Sequence, residues 1–282
     1  MPSATDLAIG ALRWLEYAGL IYLIGVFVVR RLAAQPPRIA WARPPMELAL
    51  AAALAGGVGV VVAQALVAGH SPSGAATFLF GDAAGWVRVA RVAAEGGALA
   101  LCLLGRRMVA PLALFAAASL AFAGQAAAQV QPAGPIFAGA LHILSAGVWA
   151  GGILALATIK PPGGWRGEQG RALLLRFGRI ALIAFAITAM TGLVAAASAL
   201  SFVSDLWTTP YGVALSAKSA GVIVMVALST LAWRRGFGLV RFEASIAMLV
   251  LAATAVLAAA PVPQPKAEDM TPVSTANSQR LP

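Results

Sequence analysis

The feature that most constrains this chain is a series of long apolar runs separated by short breaks rich in charge, proline and glycine. A helix needs about 20 apolar residues to cross the hydrocarbon core of a bilayer, where every backbone polar group has to be satisfied within the segment. Eight runs of that order lie at about 8–29, 46–68, 84–104, 110–130, 135–159, 178–201, 209–233 and 243–260. Charged residues make up 11% of the 282 positions, against about 25% in a soluble domain. The pattern predicts an all-α polytopic membrane bundle of about eight transmembrane helices and excludes a soluble enzyme. A single cysteine excludes a disulfide framework and a thiolate metal cage. No Lys or Arg precedes Arg13, and Arg13 and Glu16 interrupt the first run, so a cleaved signal peptide is not expected.

Orientation follows from the basic residues. The first break holds Arg30, Arg31, Arg38 and Arg43, and the third Arg106 and Arg107. The fifth holds Lys160, Arg166, Arg171, Arg176 and Arg179, and the seventh Arg234, Arg235 and Arg241. These are 4 + 2 + 5 + 3 = 14 of the 20 Lys and Arg, and the even breaks hold none. By the positive-inside rule the odd breaks face the cytoplasm and both termini lie outside. The formal charge of +10 therefore sets topology and meets anionic inner-leaflet lipids. Nucleic-acid binding is not expected, because no basic face is interleaved with aromatics. The tail 261–282 is too polar and proline-rich to pack and reads as a disordered outer extension.

Laying the first run on the fifth at an offset of 126 places Glu16 on His142 and Gly25 on Gly151. Laying the third on the seventh at 127 places Gly85 on Gly212 and Arg91 on Lys218. This reads as a tandem 4+4 repeat, with halves 1–132 and 133–260. An even number of helices per half makes the repeats parallel, related by an axis along the membrane normal. Coincidence among Ala, Gly and Leu is the alternative.

Ionisable side chains inside spans cost about 2.5–3.5 kcal/mol each by insertion scales, so each needs a partner or a role. Arg13, Glu16, Arg88, Arg91, Glu95, Gln125, His142 and Lys218 all fall in the outer part of their runs. Arg88, Arg91 and Glu95 form an i, i+3, i+7 stripe. His142, Ser145, Trp149 and Gly152 make a second, and Tyr211, Lys218 and Met225 a third. These stripes predict a polar cavity open to the outside and lined by Arg13, Arg88, Arg91, Glu95, Gln125, Trp149, Tyr211 and Lys218. The alternative is that buried Arg–Glu pairs join helices and that His142 is an ordinary satisfied core histidine.

The stretches ALHILSAGVWAGGILALA (140–157), RFGRIALIAFAITAMTGLVAA (176–196) and TPYGVALSAKSAGVIVMVAL (209–228) resemble the copper resistance protein D (CopD) family. The resemblance rests on His142 followed by Trp149, Gly151 and Gly152, and on Thr209, Pro210, Tyr211 and Gly212 opening a helix that carries Lys218. It covers residues 140–233 well and the earlier half more loosely. It implies an inner-membrane protein of copper tolerance and uptake, working alongside a CopC-like periplasmic copper carrier. Gly124-Gln125 stands where family members commonly carry Gly-His.

Copper prefers imidazole as Cu(II) and thiolate or thioether as Cu(I). Met190, Met225, Met248 and Cys102 lie at other depths than His142. The best ligand set is His70 and His142 with Glu16 as an oxygen donor. The set Arg13, Glu16, Arg88, Arg91, Glu95 and Lys218 sums to +4 − 2 = +2. That field repels a bare cation unless the rim acids Asp6, Asp82 and Asp205 compensate, and it suits an anion or a protein-delivered ion better.

A copper-handling membrane protein is the leading expectation, and a docking or assembly scaffold for a periplasmic copper carrier the alternative. A bis-histidine haem carrier is disfavoured, because His142 is the one histidine within a span. No Walker P-loop, H-E-x-x-H or G-x-S-x-G sequence is present, so no enzyme is expected.

Overall fold

The computed structural model describes residues 4–67, 71–123, 133–200, 202–235 and 240–259. All regular structure among them is helical. The helices are α1 (Ala4–Ala33), α2 (Glu47–Val67), α3 (Pro72–Phe80), α4 (Ala83–Leu103), α5 (Val109–Ser119), α6 (Ala133–Ala146), α7 (Gly152–Ala157), α8 (Glu168–Ala199), α9 (Asp205–Thr208), α10 (Pro210–Arg235) and α11 (Val240–Ala259). A 3-10 turn at Leu120–Ala123 extends α5, and a π-helical turn at Gly147–Gly151 joins α6 to α7.

Five helical segments are long and apolar enough to cross a membrane: Leu7–Ala33, Glu47–Val67, Ala133–Ala157, Glu168–Ser198 and Tyr211–Leu231. They mark the chain as a membrane protein. Val109–Phe122 and Phe242–Ala255 are apolar but shorter. The α4 helix matches α2 at 21 residues, but Arg88, Arg91 and Glu95 set it apart from the five. The apolar run read at 110–130 is helical to Ala123, and its remainder lies outside the described residues, as do His70, Gln125 and the tail.

Two short helices occupy breaks read as loops from the sequence. The Ser71 hydroxyl accepts from the Gly74 amide at 3.2 Å, and Pro72 follows at the first helical position, where its missing N–H is harmless; together they start α3. Asp82 caps α4, accepting from the Gly85 amide at 2.6 Å. Gly105, at φ 65°, turns the chain out of α4, and Gly163 and Gly164, at φ 75° and 74°, shape the α7–α8 connection.

Helix α1 is the hub. It packs on α2, α5, α7, α11 and the π-helical turn. Its closest approach is at Gly25, where a Cβ would overlap the backbone of Gly151 and Gly152; a Cβ on Gly151 would in turn overlap the Ile21 carbonyl. Around this contact α2 packs on α4, α4 on α5, α5 on α6, α6 on α8, α7 on α11 and α10 on α11. The apolar core has two parts. One surrounds Val26, Val29, Trp149, Leu156, Leu173 and Met225, and the other Leu20, Leu23, Leu50, Ala98 and Ala116.

The basic breaks on one side dock on one another. Arg176 of α8 donates to the carbonyls of Leu32, Gln35, Pro36 and Pro37 at 3.0–3.2 Å. Trp41 donates to Gln169 Oε1 at 2.7 Å and meets Trp165 edge to face. Arg30 donates to the Pro44 carbonyl at 2.8 Å. Arg176, Gln169 and Trp165 thus tie the fifth break to the first.

Candidate functional site

The described polar residues gather in two clusters. The first lies between α1, α2 and α4. Glu16 Oε1 stands 2.8 Å from Arg91 Nε. Its angle falls outside hydrogen-bond geometry, so the contact is an ion pair. Both side chains are almost wholly withdrawn from the surface, Glu16 at 1% exposure and Arg91 at 3%. Glu95, one turn beyond Arg91, is also buried. Its carboxylate occupies space left by Gly57: a Cβ there would overlap Glu95 Oε2 and lie 3.3 Å from Glu16 Oε1. Gly56 lets α2 onto α1, since a Cβ would sit 2.5 Å from the Glu16 amide nitrogen. Arg13 lies within electrostatic reach of Glu16. The cluster thus brings two carboxyl groups and two guanidiniums together.

The second cluster lies between α6 and α8. His142 Nδ1 is 3.0 Å from Thr191 Oγ1, while the Thr191 hydroxyl donates to the Ile187 carbonyl at 2.7 Å. With its one hydrogen committed, that hydroxyl accepts from Nδ1–H and leaves the Nε2 lone pair for another partner. Gly192 makes room for the ring, a Cβ there falling 3.1 Å from His142 Cε1. One turn inward, Ser145 Oγ and Thr188 Oγ1 are 2.8 Å apart. Lys218 of α10 is half-buried and within electrostatic reach of His142.

Other residues read as cavity lining stand elsewhere. Arg88 donates to the Phe78 carbonyl at 3.2 Å and lies 4.4 Å from the centre of the Phe78 ring, tying α4 to α3. Trp149 is buried in the apolar core, edge to face with Phe185 at 4.9 Å. Tyr211 is half-buried at the start of α10. Of the copper set, Glu16 is engaged by Arg91 in the first cluster and His142 by Thr191 in the second, and His70 lies outside the described residues. No group of three or more His, Cys, Asp or Glu that could hold a metal ion occurs among the described residues. One imidazole among hydroxyls and an ammonium does not fit a resident copper ion.

Sequence reasoning missed Glu243, which is buried and accepts from Ser229 Oγ at 3.0 Å. It opens the apolar run at 243–260, and α11 begins earlier, at Val240, which puts it in the first turn, where a carboxylate suits the helix dipole. Thr188, Thr191 and Gly192 were visible as a hydroxyl-bearing i, i+3 pair beside a glycine, but nothing in the chain named His142 as their partner.

No family model, curated protein or solved structure matches the chain.

Proposed function

We propose that this chain is a multi-pass protein of a bacterial inner membrane that handles copper from a periplasm-facing polar cavity, serving copper uptake and tolerance without covalent catalysis. The observation that carries the reading is the His142 ring. Thr191 fixes it through Nδ1, so Nε2 is the atom an incoming ion meets, on the helix whose residues resemble the CopD family. The absence of a three-ligand cluster among the described residues suits transfer better than storage. A CopC-like periplasmic carrier would deliver the ion, overcoming the repulsion that the in-span charges exert on a free cation.

The same reading takes the eight apolar segments as eight spans with both termini in the periplasm and halves 1–132 and 133–260 as a parallel duplication. It is supported by the clustering of basic breaks and by Gly25 touching Gly151. Residues equivalent under a two-fold relation meet each other when they lie on its axis, and 151 − 25 = 126 is the offset that aligns Glu16 with His142.

The test is the copper content of the purified protein and of cells carrying wild type, His142→Ala and Lys218→Ala. The expected result is lower cellular copper in both variants than in wild type. Equal accumulation in all three, with protein that purifies free of metal, overturns the reading. It would favour the second one, a docking scaffold for the copper carrier that transports nothing.

A further inference from the structure

The two polar clusters occupy matching places in the proposed halves but close differently. Under the offsets of 126 and 127, Glu16 corresponds to His142 and Arg91 to Lys218. Glu16 and His142 each sit on the opening helix of their half and have a glycine of the next span close by, a Cβ at Gly57 falling 3.3 Å from Glu16 Oε1 and one at Gly192 3.1 Å from His142 Cε1. In the first half the cation has its carboxylate, and α2 packs on α4 to shut the pair away. In the second half a neutral ring replaces that carboxylate. Among the described residues α8 makes no comparable contact with α10, and both His142 and Lys218 stay partly exposed.

Among the described residues, Lys218 is therefore a cation without a counter-ion. It is the ninth residue of α10, about 12 Å along the helix from its start. That is farther than a lysine side chain snorkels. An unpaired ammonium at that depth is costly, and no carboxylate among the described residues pairs with it. We propose that an external anionic oxygen, from a carboxylate or a phosphate, docks between α8 and α10 against Lys218, serving it as the Glu16 carboxylate serves Arg91 in the first half. The proposal rests on the duplication proposed above but not on copper being the cargo.

The test uses the full chain in nanodiscs of zwitterionic phosphatidylcholine, titrated with inorganic phosphate and separately with carbon-labelled acetate. Binding is followed by line broadening of the phosphorus and carbon NMR signals. A second arm adds phosphatidylglycerol and uses native mass spectrometry to ask whether one such lipid is retained. Saturable broadening, or retention of the lipid, supports the site, and the arm that responds tells whether the oxygen comes from a soluble anion or a headgroup. Lys218→Met is expected to weaken the response by about tenfold or more, and exposed Arg106→Met to leave it unchanged. His142→Glu supplies the missing carboxylate, so it is expected to block binding and raise the melting temperature. No saturable response in either arm, a response that survives Lys218→Met, or one that survives His142→Glu overturns the proposal. Copper uptake enters none of these readouts, so the site and the copper reading fail separately.

Discussion

Arg91 and Glu16, 75 residues apart in sequence, meet at 2.8 Å in the interior of the bundle. A pair so deeply buried is an unreliable source of net stability but costly to break from one side. Arg91→Met is expected to destabilise the protein by about 3–5 kcal/mol by leaving the buried Glu16 carboxylate without its guanidinium. Glu16→Gln combined with Arg91→Met is expected to recover part of that loss. A double-mutant cycle on unfolding in detergent measures both, and additive losses would show that the pair is not coupled.

Glycine substitutions should separate along the helices. Gly25→Ala drives a methyl group into the Gly151 backbone, and two backbones cannot yield as a side chain does. A loss of about 1–3 kcal/mol or more is expected. Gly178→Ala, in α8 with nothing within 4 Å of the added carbon, is expected to gain up to about 1 kcal/mol from helix propensity. Paired melting curves decide whether α1 and the π-helical turn are packed as tightly as described.

Arg176 gathers four carbonyl oxygens of the 32–37 segment. Arg176→Lys keeps the charge but lacks the planar fork that serves several acceptors at once. Hydrogen exchange of residues 32–42 is therefore expected to speed up in Arg176→Lys nearly as much as in Arg176→Ala, whereas a purely electrostatic tie would be rescued by lysine.

The orientation can be read with single cysteines in a Cys102→Ser background. A membrane-impermeant thiol reagent applied to spheroplasts is expected to label Asp82→Cys and to reach Arg106→Cys only after permeabilisation. Labelling of both from one side would remove α4 from the eight proposed spans.

Much of the fold was legible because a bilayer is an unforgiving solvent. Glu16, Arg91 and Glu95 were conspicuous as ionisable groups within apolar runs, and their stripe spacing put Arg91 and Glu95 on one face. The distribution of these groups was less legible. Arg88 shares the stripe of Arg91 by spacing, yet in three dimensions it turns to Phe78 because α3 forms from a break that the hydropathy pattern left as loop. Trp149 follows His142 at helical spacing, but a π-helical turn interrupts that register and delivers the ring to Phe185 in the apolar core. Glu243 opens its apolar run, and nothing in the chain marks Ser229 as its partner.

Composition and periodicity by themselves determined that the chain is helical and belongs to a membrane, and which side chains are too polar to face lipid without a partner. Those are properties of each segment against its solvent, and they can be read one helix at a time. Which helix becomes the hub, which carboxylate Arg91 takes and whether Lys218 finds one were decided only by tertiary packing. They depend on how near two backbones come, and that is set by pairs of distant residues such as Gly25 with Gly151 and Gly57 with Glu95, whose meeting no local pattern encodes.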